Sequence, residues 1–149
     1  MEWHMFNKNF TDPLYLLNLT LLAAHEIDSA YWEVWNLFHL PGGIQVFLAV
    51  NFVLLLIFIF GYRQVVNNRR SGAYFALALA GVGLLTAGIH GYFYITQVKG
   101  FSLPASQIVL ALILVVSGLQ IFATLRAGRD PQKVHSPSMP LFKHRRFAK

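Results

Sequence analysis

The sequence predicts an all-α integral membrane protein: a four-helix bundle of up-and-down topology with both termini on the cytoplasmic side. Three observations predict it. Of 149 residues, 56% are hydrophobic and only 12% charged, whereas soluble domains carry about 25% charged and about 45–50% apolar residues. The apolar residues collect in four stretches near the length of about 20 residues that a spanning helix requires. Lysine and arginine gather on one side of those stretches. A soluble domain of this size buries only about 70% of its chain surface, so lipid is the natural solvent for the apolar excess.

The first span covers residues 13–35. Thr11, Asp12 and Pro13 supply a cap and a first-turn proline for its start. It is the most polar span, because it contains His25, Glu26 and Asp28. The second, residues 44–62, includes the unbroken run Val53-Leu54-Leu55-Leu56-Ile57-Phe58-Ile59-Phe60. The third and fourth cover residues 73–96 and 105–125. Turn-forming residues divide them: Pro41, Gly42 and Gly43 after the first, Asn67, Asn68, Ser71 and Gly72 after the second, and Gly100, Ser102 and Pro104 before the fourth. Connections this short make successive helices antiparallel neighbours.

Orientation follows from the basic residues. The second connection carries Arg63, Arg69 and Arg70, and Arg126, Arg129, Lys133, Lys143, Arg145, Arg146 and Lys149 follow the fourth span. The first connection has no lysine or arginine, and the third has only Lys99. Basic loops stay in the cytoplasm, so the N- and C-termini are expected there. No basic run precedes a short apolar core and a small-residue cleavage site, which argues against a cleaved signal peptide. Residues 1–127 thus read as the transmembrane domain. Residues 128–149 read as a basic, disordered cytoplasmic tail, either touching anionic headgroups or serving topology alone. The net charge of +6 lies largely in that tail, so it points to a membrane flank and not to nucleic acid.

The absence of cysteine excludes disulfides, thiolate nucleophiles and zinc–thiolate or iron–sulfur centres. Chemistry, if present, rests on histidine and carboxylate. Three of the six acidic residues fall in His25-Glu26-Ile27-Asp28-Ser29-Ala30-Tyr31-Trp32-Glu33. At about 100° per residue, Asn18, His25, Glu26, Asp28, Ser29, Trp32, Glu33 and Asn36 fit an arc of about 160°, with Leu16, Ala23, Ile27 and Val34 opposite. Glu26 and Asp28 diverge by about 160° within that arc, so they are expected to have different neighbours. His25 and Asp28, three residues apart, share a face. An ionised group at the bilayer centre costs about 2.5–3.5 kcal/mol, so this face is expected to meet other helices or water.

The third span supplies a partner. Thr86, His90, Tyr94 and Gln97 form a polar stripe, and His90 lies in the outer half of the membrane, as do Gln45 and Gln107. Gly83, Ala87 and Gly91 recur every fourth residue and let helices approach closely. Ser117, Gln120 and Thr124 are expected to bond between helices. Tyr31, Trp32 and Trp35 suit an interfacial aromatic belt or the wall of a substrate entrance.

Two classes of function fit. One is a lipid-directed hydrolase or isomerase. Its metal-dependent form would hold a divalent zinc, iron or manganese ion through His25, Asp28, His90 and Glu26. Its metal-free form would use Glu26 or Asp28 as general acid or base. Ser29, Trp32, Glu33 and Tyr94 would line the pocket for a lipid-like small molecule. The other class is a binding, accessory or proton/cation-transport bundle, or a structural subunit of a membrane complex. Transport through spans this short would call for a homo-oligomer. His-Glu-x-Asp is not the two-histidine zinc motif.

The stretch from His25 to Trp35, followed by Leu40-Pro41-Gly42-Gly43-Ile44-Gln45, resembles an uncharacterised group of small bacterial multi-pass membrane proteins. That resemblance implies a bacterial inner membrane and supplies no activity. Sterol-isomerase-like bundles and ceramidase-like metal hydrolases also bury histidine and acidic residues in membranes. Their full spacing, with a second paired-histidine motif, is absent here.

Overall fold

Hydrophobic runs broken by turn residues become four long helices and one single turn of helix among the described residues. These are α1 Trp3–Tyr31, α2 Val34–Leu37, α3 Gly43–Val66, α4 Arg70–Ile95 and α5 Pro104–Gly128. The structure is a computed structural model that describes the backbone of residues 3–96 and 103–128, with side chains at 11–96 and 103–127. Gln97, Lys99 and the basic tail from Arg129 lie outside the described residues, as do the expectations attached to them.

α3, α4 and α5 are each long and apolar enough to cross a membrane, with mean hydropathies of 2.6, 1.8 and 2.6 in their best windows. α1, at 29 residues, is also long enough, but its polar residues keep it outside that group. The chain is a multi-pass integral membrane protein.

Two helix boundaries differ from expectation. α1 begins at Trp3, before the cap at Thr11-Asp12, and carries Pro13 inside it. A proline at that position removes one backbone donor, which the helix tolerates. A capping sequence permits a start without enforcing one. At its other end α1 stops at Tyr31, short of Trp35. Glu33 takes the left-handed conformation, φ 50° and ψ 47°, which costs a non-glycine residue roughly 1–2 kcal/mol. Asn36 Nδ2 donates to Glu33 Oε2 at 2.7 Å across this bend. The break lets Val34 bury itself against Phe47 of α3, where an unbroken helix would have turned it to lipid.

α1 touches all three other long helices, α4 lies between α3 and α5, and α3 and α5 do not meet. The core joins Tyr15, Leu19 and Leu22 of α1 to Phe58 of α3, Ala76 and Leu79 of α4 and Ile113 of α5. Only 11% of the apolar window of α3 is buried, so most of that helix faces lipid. Hydrogen bonds set the register. Asn18, at the middle of α1, meets Ser117 and Gln120 past the middle of α5. Asp28, in the second half, meets Ser106 near the start of α5.

Candidate functional site: a buried histidine pair beside an open cleft

The polar face of α1 produces two layers, about 10 Å apart for the seven residues from Asn18 to His25. In the first, Asn18 Nδ2 donates to Gln120 Oε1 at 2.8 Å and to Ser117 Oγ at 3.1 Å. Gln120 Nε2 donates onward to the Ala76 carbonyl at 2.8 Å. Asn18, Ser117 and Gln120 are all 0% exposed. Below them, the Tyr15 hydroxyl donates to the Phe58 carbonyl at 2.9 Å. Thr124 departs from its expected role, since its hydroxyl donates to the Gln120 carbonyl of its own helix. This layer is saturated polar glue.

The second layer holds the ionisable groups. His25 on α1 and His90 on α4 are buried, with ring centroids 4.6 Å apart and planes at 87°. Their helices reach this level from different parts of the chain, and the two imidazoles meet as the sequence required of any shared site. The His25 Nε2 and Ser29 Oγ share a hydrogen bond of 3.2 Å. The His90 Nδ1–H donates to the Thr86 carbonyl at 2.9 Å. A carbonyl only accepts, so Nδ1 carries a proton there. Ser106 donates to Asp28 Oδ1 at 2.8 Å, and Asp28 lies within electrostatic reach of His90. The second oxygen, Asp28 Oδ2, is buried and has no hydrogen-bond partner among the described residues.

The carboxylates separate as their angular spacing required. Asp28 turns to α5, and Glu26 turns to α3, where its side chain meets Asn51. Asn51 in turn donates to the Phe47 carbonyl. His25, Asp28, His90 and Glu26 therefore do not converge. Among the described residues no group of three histidine or acidic side chains could hold a metal ion. Asp28 and Glu26 thus take their partners from residues that the sequence reading did not single out, Ser106 and Asn51. Ser and Asn are ordinary in membrane helices, and nothing local marks which one will face an acid.

The four pocket candidates scatter. Ser29 is in the layer itself. Trp32 is half-buried beside Val34 and Phe47, and Glu33 is exposed at the bend. Tyr94 is exposed on the edge of a cleft between α4 and α5. This cleft, about 290 Å³, is walled by Ala87, Gly91 and Tyr94 on one side and Gln107, Ala111 and Leu114 on the other, and His90 is the buried member of its lining. Phe93 stands beside His90, ring centroids 5.9 Å apart. Phe38, from the segment after α2, packs against Phe93 with ring centroids 5.6 Å apart and planes tilted at 45°. The first connection thus roofs the histidine layer.

The cleft exists because a stripe of small residues diverges from its neighbour. At Gly83 the helices touch so closely that a Cβ would overlap Ser117 Oγ. Two turns later, a Cβ on Gly91 would meet nothing within 4 Å among the described residues. The stripe packs at one end and opens at the other.

Residues 11–127 match the model of a family described as a family of unknown function, DUF6713. No curated protein and no solved structure matches the chain.

Proposed function

Since the chain belongs to this DUF6713 family, whose members' function is unknown, we propose its role from geometry alone: it binds a lipid-like small molecule at an intramembrane site built on His25, His90 and Asp28. One observation carries the reading. A cleft between α4 and α5 reaches a buried imidazole that stands against a second imidazole. Burying such groups in a bilayer is costly, and packing alone is already served by the Asn18 layer.

In this reading all four long helices span, up and down, with both termini in the cytoplasm of a bacterial cell and the histidine layer in the outer half of the membrane. α1 crosses although it is the most polar helix, because its polar face is turned to the other three. Imidazole and carboxylate are the side chains that most often move protons in general acid–base catalysis. The site therefore suits acid–base chemistry on the bound molecule, such as an isomerisation or a hydrolysis, and no resident metal is invoked.

The cysteine-free sequence makes topology easy to test. With a membrane-impermeant maleimide, a single cysteine at Glu33 should label in intact cells and one at Ser71 only after permeabilisation; labelling of both under the same condition overturns the four-span order. For the site, the protein is extracted in native nanodiscs and its lipids are profiled. A lipid species enriched over bulk membrane should be present, and His90→Phe, which keeps an aromatic ring in place, should lose it while still folding. A profile equal to bulk membrane would defeat the reading.

A further inference from the structure

Resting on that site, we infer the class of its ligand: a single-chain amphiphile with an uncharged head, seated head-outward in the cleft between α4 and α5.

Size argues for one chain. The volume of about 290 Å³ lies just below the range of about 300–1,000 Å³ usual for pockets holding drug-sized ligands. A slot of that size admits one acyl chain and not two side by side. The walls grade in polarity along the helices. Tyr94 and Gln107 stand at the end of α4 and the start of α5, whereas Ala87, Ala111 and Leu114 lie deeper. From Tyr94 to Ala87 is seven residues, about 10 Å, roughly a third of the ~30 Å hydrocarbon core. A molecule with a polar end and an apolar end has one favourable direction in such a slot.

Chemistry argues for the head. Among the described residues, none that lines the cleft is lysine, arginine, aspartate or glutamate, so a charged head finds no counter-ion there. The phenol of Tyr94 and the amide of Gln107 both donate and accept hydrogen bonds, which suits hydroxyl and carbonyl groups. His90 lies four residues below Tyr94, about 6 Å. It therefore faces the junction of head and chain, where the ester of a monoacylglycerol would sit.

The probe is a monoacylglycerol carrying a diazirine in its chain, photolysed with the full chain in phosphatidylcholine–phosphatidylglycerol nanodiscs. Labelling should concentrate in peptides containing residues 87–94 and 107–114 and fall away with excess unlabelled monoacylglycerol. Ala111→Trp fills the slot from an exposed position and should abolish it. Gln107→Leu removes a head contact without narrowing the slot and should weaken it, giving a second reading if the tryptophan variant does not fold. Equal cleft labelling by a diazirine phosphatidylcholine, or stronger competition by a fatty acid anion, overturns the ligand class and leaves the intramembrane site standing. Labelling no stronger in the cleft than along α3 overturns both.

Discussion

The two polar layers of the bundle are built from the same face of α1, yet they differ in every property that separates glue from a working site. Around Asn18 the groups are neutral amides and hydroxyls, fully buried and bonded to one another across three helices. Around His25 they are imidazoles and a carboxylate, bonded mainly to serine hydroxyls and a helix carbonyl. One carboxylate oxygen there is buried with no hydrogen bond among the described residues. The first layer is sealed and the second has a cleft beside it. Neutral polar groups suffice to fix helix register in a membrane. Ionisable groups cost more to bury, so their presence where amides would do is an argument for chemistry.

The sharpest way to break this contrast is to pry the sealed layer open. Gly83→Leu places a side chain where Ser117 Oγ and, at 3.2 Å, Ile113 Cγ2 already stand. It should separate α4 from α5 and cut the Asn18–Ser117 bond, costing about 3 kcal/mol, the upper end for overpacking. Thermal unfolding in detergent measures it. A variant that melts with its parent would mean the layer is as loose as the one above.

A smaller effect tests whether the Asn18 layer acts as one unit. Asn18→Leu and Gln120→Leu should each cost about 1 kcal/mol, since hydrogen bonds between membrane helices average about 0.6 and reach about 1.7 kcal/mol. Because the two amides bond each other, the double variant should cost less than the sum. Additive losses would show that each side chain is held by its other partners alone.

Helical periodicity made much of this legible. Asn18, His25 and Ser29 share one side of α1 by spacing, and all three are buried. Leu16 and Ile27, on the other side, are exposed, Ile27 by 75%. The divergence of Glu26 from Asp28 was likewise a matter of angle. Angles fail where the helix does. Glu33 belonged to the arc only if α1 continued, and its left-handed backbone removes it. Spacing along one helix also says nothing of what stands opposite. Ser106 beside Asp28 and Asn51 beside Glu26 depend on how α3 and α5 are docked, a long-range property. The cleft is a third case. Gly83 and Gly91 look alike in a four-residue repeat, and only the divergence of α5 gives them opposite surroundings.

That last pair gives the finest test, because one substitution should change sign along one helix. An alanine in place of glycine in a helix interior gains up to about 1 kcal/mol in intrinsic propensity. At Gly83 the new methyl collides with Ser117, and Gly83→Ala should be destabilising. At Gly91 a Cβ meets no described residue within 4 Å, so Gly91→Ala should leave the fold intact and raise the melting temperature slightly. The same methyl narrows the cleft beside His90, so the more stable variant should retain less of its bound amphiphile. If Gly91→Ala instead destabilises the protein, α5 closes on α4 along its whole length. The two layers would then be equally sealed, and the histidine pair would have no route to the lipid.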